Sequence, residues 1–441
     1  MPYKQSKYNY FIDYKGGKLL YNGMSGAGFR MPANEWEEFE RQLKNLDQFE
    51  QIYPDDFLHL KNLGMIVESQ LDEVALIKHL NKIALYDNRD YEIMINPTLE
   101  CCFKCWYCFE AHPQGHMSTE IVNAIKEHIR HKIKNDKITR LHISWFGGEP
   151  LLYYDQVVRP ISVFAKQFTE KNQVLFTNSI TTNGYLINAN MIRDMSRINL
   201  YTFQITLDGD RERHNKIRNC NGTPSYDVII SNIKQILENI PHSHVTLRIN
   251  YDNTTLNGDL HALMDEFPIG VRRRIRVDFQ RVWQTVHGGN KDEENMQLDS
   301  VIKHAVLAGY RCCSTGGLHP RQFYNCHIGR IHFACINFDG NVFKCTARTF
   351  DEMHKVGTLE STGKIAWDMS KLCLYQGHSP LEDECKECTY LPLCMGPCPQ
   401  SYIDNNFKVN CYFKKIERSP EKRIIDLYEE SLKDKHASFS Y

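Results

Sequence analysis

The sequence has no long apolar run, no excess of charge of either sign and no hydrophobic leader at its first residues. A helix spanning a bilayer needs about 20 consecutive apolar residues, so the first absence predicts no membrane. With 53 basic and 54 acidic residues spread along 441, the formal net charge is −1. That balance predicts neither a nucleic-acid surface nor an anionic membrane as partner. Met1-Pro2-Tyr3-Lys4-Gln5 opens no signal peptide, which makes a cytoplasmic location the expectation. The length allows roughly two to four domains, each able to bury its own core.

Cysteine, by contrast, is abundant. Sixteen thiols are too many for an ordinary cytosolic chain, where disulfides are disfavoured, and they group at Cys101–Cys108 and Cys312–Cys411. The grouping points to metal. The first group, Cys101-Cys102-Phe103-Lys104-Cys105-Trp106-Tyr107-Cys108, follows a strand-like run and sets three thiols at C-x3-C-x2-C. Three are one too few for a closed site, since structural zinc takes four protein ligands and an electron-carrying cubane takes four thiolates. A three-thiolate loop leaves one iron open to substrate. In isolation the eight residues leave a small zinc loop or a few packed thiols as the lesser alternative, and Cys102 reads as a packed or incidental thiol rather than a ligand.

The stretch resembles the cluster loop of radical S-adenosylmethionine enzymes, C-x3-C-x-φ-C with aromatic φ, here Tyr107. The resemblance implies that Cys101, Cys105 and Cys108 hold a [4Fe-4S] cluster and act catalytically. Its open iron would chelate the amino and carboxylate groups of S-adenosylmethionine, whose cleavage gives a 5′-deoxyadenosyl radical that abstracts hydrogen from a substrate.

Residues 8 to 22 read as a hairpin turning at Lys15-Gly16-Gly17. Asn34 with Glu37 reads as a capping box ahead of a helix bearing Trp36, Phe39 and Leu43. A second helix runs from Pro54 to Leu63, Met65-Ile66-Val67 reads as a short strand, and a third helix carries Val74, Ile77, Leu80 and Ile83 on one face. Residues 1–90 therefore suggest a winged-helix-like module. Similar modules precede the cluster loop in maturases of ribosomally made peptides, where a strand edge pairs with the leader of the precursor peptide.

From residue 91 strand and helix alternate six times. The strands are Tyr91–Asn96, Leu141–Trp145, Val174–Thr181, Leu200–Leu207, His244–Asn250 and Ile275–Val282, each largely apolar. The helices are Ser118–Lys134, Gln156–Thr169, Asn188–Arg197, Tyr226–Glu238 and Gly258–Phe267. Such alternation predicts an α/β fold, parallel pairing and a partial (β/α)6 barrel with ligands at the strands' carboxyl ends. After the second strand comes Trp145-Phe146-Gly147-Gly148-Glu149-Pro150, whose glycines let the backbone approach a ligand and whose carboxylate can accept from an ammonium. It matches the family's GGEP motif, so Phe146, Gly147, Gly148 and Glu149 are implied cofactor contacts. The resemblance adds Tyr107, Thr182, Asn183, Gln204, Thr206, Asp208 and Arg218 toward the same cofactor and leaves His214 unassigned. Residues 284 to 295 read as a solvated linker.

The second thiol group runs Cys326, Gly340, Cys345, Cys385-x2-Cys388-x5-Cys394-x3-Cys398 and Cys411. The block Cys385–Cys398 alone reads equally well as a zinc knuckle. The whole pattern resembles the SPASM extension that follows the barrel in a subset of radical S-adenosylmethionine enzymes. That implies two auxiliary [4Fe-4S] clusters, one on Cys326, Cys345, Cys398 and either Cys313 or Cys312, the other on Cys385, Cys388, Cys394 and Cys411. Cys220, Cys335 and Cys373 fit no pattern and read as structural. The expected layout is residues 1–90 for leader recognition, 91–300 for the barrel, 301–420 for the SPASM domain and 421–441 for a terminal helix.

The function implied is a peptide maturase with three clusters and an electron donor of flavodoxin or ferredoxin type, installing a thioether, C–C or ether cross-link. The alternatives are peptide epimerisation, a non-enzymatic zinc protein that binds peptide, and a sulfatase maturase making formylglycine. Sulfatase maturases typically begin near the cluster loop and carry Asp after the cysteine corresponding to Cys345. Here 100 residues precede Cys101, and Thr346 follows Cys345.

Overall fold

The structure is a computed structural model that describes residues 2–256, 258–282, 284, 291–314, 318, 320–379, 381, 384–411 and 419–437. The chain divides into two compact units, one of Met1–Tyr86 with Gly316–Arg330 and Leu374–Tyr441, the other of Asp87–Thr315 with Ile331–Cys373. The stretch 301–420 is therefore shared between them. Among the described residues no helix is long and apolar enough to cross a membrane.

The first unit starts with β1 (Tyr3–Gln5), then β2 (Asn9–Tyr14), β3 (Gly17–Asn22) and β4 (Gly28–Pro32). Strands β2, β3 and β4 form an antiparallel sheet, with Lys15 and Gly16 at φ 47° and 70° making a two-residue turn between Tyr14 and Gly17. Helices α1 (Ala33–Leu43), α2 (Leu46–Ile52) and α3 (Pro54–Asn62) follow, then β5 (Ile66–Glu68), which pairs with β1, and α4 (Glu73–Tyr86). Strand β4 and helix α2 are absent from the sequence reading.

Alternation along β3 decides what covers the sheet. Leu20 packs with Leu43, Phe49, Phe57 and Leu60 from α1–α3. Leu19 and Tyr21 turn the other way, onto Leu393 and onto Ile424 and Tyr428 of the helix Pro420–Ala437. Both faces of β3 are thus buried, one of them by residues from the far end of the chain.

Two local expectations are corrected. Helix α1 is capped by Pro32 with no side-chain cap, because β4 stays paired through Pro32 and the helix starts directly after it, leaving Asn34 inside the first turn. On α4 the buried line is Glu73, Ile77 and Asn81, whereas Ile83 is half exposed. The two polar residues are satisfied there. Ser6 Oγ and Lys7 N donate to the Glu73 carboxylate, and Asn81 Nδ2 donates to the Phe323 carbonyl.

The second unit holds eleven strands in one sheet, β14-β13-β12-β9-β8-β7-β6-β15-β16-β17-β18. In chain order these are β6 (Asp90–Ile95), β7 (Arg140–Trp145), β8 (Leu175–Thr182), β9 (Leu200–Leu207), β12 (His244–Tyr251), β13 (Ile275–Arg281), β14 (Arg311–Ser314), β15 (Phe333–Ile336), β16 (Asn341–Phe343), β17 (Lys355–Leu359) and β18 (Ile365–Trp367). A separate two-residue ribbon, β10 (Asn219–Cys220) with β11 (Thr223–Pro224), lies outside it. The eight strands from β14 to β15 pair in parallel, and β16–β18 continue antiparallel. The crossover helices are α5 (Thr119–Lys134), α6 (Arg159–Lys171), α7 (Ala189–Arg197), α8 (Arg211–Ile217) and α9 (Tyr226–Asn239), followed by a shorter one over Leu260–Asp265.

The six expected strands are all present, within about a residue at most ends. The structure adds β14 on one edge and β15 on the other, and Cys335 lies fully buried in β15. The linker reading is partly corrected: a helix begins at Lys291, and residues 285–290 lie outside the described residues.

One face of the parallel strands is a packed core of Ile143, Ile180, Phe203, Ile205, Leu247, Val277 and Phe279. The other is polar. Register places Thr181, Gln204, Thr246 and Arg276 in one row across four strands, and Thr206, Arg248 and Asp278 in the next. Parallel strands buried on both faces normally read as continuous apolar runs, so this alternation marks a face kept for something other than helices.

Two buried imidazoles make the unit acid-sensitive. His128 bonds Tyr91 Oη at 2.6 Å and the Gly363 carbonyl at 2.7 Å, and burial lowers its pKa to about 4. Burial, with Arg218 adding to it, lowers His214 to about 3. Both folded values lie below the ordinary value, so the unfolded chain binds protons that the folded chain refuses. Stability is predicted to fall as pH drops from about 6.5 toward 4, by up to about 1.4 kcal/mol per pH unit for each imidazole. Urea unfolding at stepped pH checks this, and His128→Gln is expected to flatten the slope.

Candidate active site

The first cysteine group occupies the loop that leaves β6 at its carboxyl end. Its base is closed by a bridge between Thr98 and His116, by Thr98 Oγ1 donating to the Gly115 carbonyl at 2.6 Å, and by Gly115 N donating to Glu100 Oε1 at 2.6 Å. Phe103 anchors its middle, 1% exposed and 5.7 Å from the Tyr185 ring.

The turn after β7 clamps the same loop. Gly148 N donates to the Thr98 carbonyl at 3.2 Å and Glu149 N to the Glu100 carbonyl at 2.8 Å. A Cβ on Gly147 would lie 2.3 Å from the Thr98 oxygen, and one on Gly148 2.2 Å from the Glu100 oxygen. Here the two glycines admit backbone against the cysteine loop itself. Phe146, half-buried, starts the turn with its N–H on the Ile95 carbonyl.

Glu149 is fully buried and accepts from Thr182 Oγ1 at 2.7 Å, Leu151 N at 3.0 Å and Asn183 N at 2.8 Å. Burial pushes its carboxyl up against the pull of those three donors. The carboxylate thus fastens the β7 turn to the end of β8. The neighbouring Asn183 reaches back, its Nδ2 lying 3.2 Å from Cys102 Sγ and 3.8 Å from Cys101 Sγ.

The second cluster of polar groups centres on the Tyr107 hydroxyl, which donates to Asp208 at 2.5 Å and 2.7 Å. Arg218 bonds both partners, Nε to Asp208 at 3.0 Å and Nη2 to the phenol oxygen at 2.8 Å, and Asn250 Nδ2 reaches the same oxygen at 3.1 Å. Burial works against the Arg218 charge, yet Asp208 and Tyr107 hold its proton affinity well above the ordinary value. Gln204 and Thr206 sit on the polar face of β9, half-buried and buried respectively. Cys101 and Cys105 are half-buried and Cys108 is exposed. Burial pushes the Cys105 thiol to about 11, with Arg218 opposing and Asp208, Cys101 and Cys108 contributing, so the three thiols and the ion pair share one neighbourhood.

Among the described residues no three Cys, His, Asp or Glu side chains converge tightly enough to hold a single ion. A cubane distributes its thiolates over separate irons, so it asks for thiols gathered but not convergent. Three thiols spread over residues 101–108 and backed by Asn183 fit that demand. In the other unit, Cys394 has Cys385, Cys388 and Cys411 as its electrostatic neighbours, and burial pushes its thiol to about 12. That four-thiolate set fits a second cubane by the same argument. Cys326 and Cys398 lie in that unit and Cys312 in the barrel unit together with Cys345; the Cys313 side chain lies outside the described residues. Cys220 is half-buried and Cys373 exposed.

Two groups escaped the sequence reading. His214 accepts from Asp208 N at Nδ1 and bonds Ser225 Oγ through Nε2, while Ser225 Oγ donates to the Arg218 carbonyl at 2.6 Å, so this pair holds the backbone at both ends of the ion pair. The polar row containing Arg248 and Asp278 lies on strands that are apolar overall, so its signal in the sequence is the period-two alternation alone.

Residues 95–265 match the Radical SAM superfamily, so this stretch of the barrel carries a radical S-adenosylmethionine domain. The serine-type anaerobic sulfatase-maturating enzyme of Bacteroides thetaiotaomicron is 22% identical over 358 residues, 70% of this chain and 82% of its own length. The crystal structure of Streptococcus suis SuiB bound to precursor peptide SuiA is 15% identical with a TM-score of 0.52, covering 91% of this chain and 97% of that one. Native anSMEcpe with bound AdoMet and Cp18Cys peptide is 16% identical with a TM-score of 0.53, covering 78% and 97%.

Replacing Asp208 by Asn is expected to strand the buried Arg218 charge and cost about 3–5 kcal/mol in urea unfolding, with part of the loss recovered in Asp208→Asn/Arg218→Met. Gly148→Ala is expected to cost about 1–3 kcal/mol and to lower iron bound per chain after anaerobic reconstitution, because the new methyl group must displace the cysteine loop.

Proposed function

We propose that this protein is a radical S-adenosylmethionine maturase that abstracts hydrogen from a ribosomally synthesised precursor peptide and installs an intramolecular cross-link. In this reading Cys101, Cys105 and Cys108 hold a [4Fe-4S] cluster with one iron free for S-adenosylmethionine. When bound, the pair supplies a 5′-deoxyadenosyl radical, and the homolysis belongs to the cofactor. The chain binds, orients and excludes. The clamp of residues 147–149 keeps the cysteine loop against the strand ends, and the Tyr107–Asp208–Arg218 network presents fixed polar groups beside the thiols. Gln204, Thr206, Arg248 and Asp278 offer peptide a polar inner face. Auxiliary clusters, one on Cys385, Cys388, Cys394 and Cys411 and one on Cys326, Cys345, Cys398 and Cys312 or Cys313, would carry electrons between substrate, the first cluster and a flavodoxin- or ferredoxin-like donor in the cytoplasm.

The observation that carries the peptide reading is coverage. The fold shared with peptide-bound SuiB extends over 91% of this chain. A module ahead of the barrel with an antiparallel sheet suits strand addition of a leader segment. The Bacteroides relative favours a second reading, formylglycine formation. Against it stand Thr346 in place of the expected Asp after Cys345, and the 100 residues ahead of Cys101.

Replacing Cys101, Cys105 and Cys108 by Ala is expected to abolish 5′-deoxyadenosine formation while leaving precursor binding, as followed by chromatography and titration; retained cleavage contradicts the assignment. Mass spectrometry of a co-expressed precursor separates the products. A loss of two hydrogens without new aldehyde supports the cross-link, an aldehyde at Ser or Cys supports the sulfatase reading, and unchanged mass with deuterium uptake indicates epimerisation.

A further inference from the structure

Tyr8 is 0% exposed, and its hydroxyl has no hydrogen-bond partner among the described residues. Buried hydroxyls are rarely left so, because an unmade bond there is not replaced by water. The backbone of Tyr8 is fully used: its N–H donates to Ser6 Oγ and its carbonyl accepts from Gly23 N. Only the phenol oxygen is idle.

Its surroundings come from the second cysteine group. Tyr8 packs with Leu391 and Met395, and Cys385 lies against the same cluster. On either side of it, Lys7 Nζ donates to the Lys386 carbonyl at 3.1 Å and Tyr10 Oη donates to the Thr389 carbonyl at 2.7 Å. Residues 7–10 therefore run alongside 385–391, the segment that bears Cys385 and Cys388. After burial, the charges that push the Tyr8 phenol upward are Glu73, then Cys388, then Asp72 and Glu387. Glu73 is already occupied by Ser6 Oγ and Lys7 N. The Cys385 side chain, packed against the same cluster as Tyr8, supplies a sulfur acceptor on the adjoining segment.

We propose that Tyr8 donates a hydrogen bond to a thiolate sulfur of the Cys385–Cys388 pair when an iron–sulfur cluster is bound there, making it a positioning and potential-setting residue for that cluster. The inference rests on the reading that Cys385, Cys388, Cys394 and Cys411 hold a cluster. Hydrogen bonds to cluster sulfurs favour the more negative, reduced state and so raise the reduction potential. The N-terminal segment would then take part in the electron-transfer properties of a site made by the other end of the chain.

The test is Tyr8→Phe, which removes one oxygen, in reconstituted full-length protein also carrying Cys101→Ala, Cys105→Ala and Cys108→Ala to silence the barrel cluster. Potentiometric titration followed by EPR is expected to show one midpoint potential shifted to more negative values, with iron per chain retained. An unshifted potential overturns the proposal. In metal-free protein the same substitution is expected to leave the urea midpoint unchanged or higher, because the hydroxyl has no partner there; a fall reveals a protein partner and also overturns it. Cys394→Ala separates the two levels. If it removes about four iron per chain while Tyr8→Phe shifts nothing, only the role of the phenol fails. If iron is unchanged, no cluster sits on these thiols and the underlying reading fails with it.

Discussion

The arrangement of the barrel's site depends on a backbone-to-backbone contact, the passage of residues 147–149 against 98–100. No side chain fits between them, as the 2.2–2.3 Å clearances at Gly147 and Gly148 show. Through that contact the base of the cysteine loop is fixed to the carboxyl ends of β7 and β8. Glu149 completes the fastening from inside, its buried carboxylate shared between the turn and the end of β8. The motif read from the sequence as a ligand cradle therefore serves first as the seat of the loop.

Around this seat the site is electrically organised by one ion pair. Arg218 and Asp208 are almost wholly buried, and a buried pair repays its desolvation only when the remaining donors and acceptors are satisfied. Tyr107 bonds both from the front, its own oxygen accepting from Asn250, and His214 with Ser225 holds the backbone behind. Because Tyr107 belongs to the cysteine loop, Asp208 to β9's end and Asn250 to β12, the network joins the loop to two sectors of the barrel. Cys105 lies within its field.

The other unit is built on a different constraint. A three-stranded sheet has two faces, and α1–α3 cover only one. The second face of β2 and β3 is covered by Leu393, Ile424 and Tyr428, so residues some 400 positions downstream complete the N-terminal core. The N-terminal module and the C-terminal thiol block are on this account one folded body, which places Tyr8 and Tyr10 alongside the cysteines.

Local pattern alone determined much of this protein. Period-two and 3.6-residue repeats located the six strands and most of their helices closely, because that signal depends on neighbours close along the chain. Where a local rule met a stronger partner it failed. Asn34 lost its capping role to a strand that stays paired through Pro32, and the α4 face rotated onto Glu73 and Asn81 because distant donors and acceptors satisfy them. Only the tertiary structure decided that Gly147 and Gly148 face a backbone, that Asp208 meets Arg218 under Tyr107, and that the first and last segments share a core. Those outcomes follow from contacts between residues tens to hundreds of positions apart, whose energy depends on burial and register that no single segment encodes.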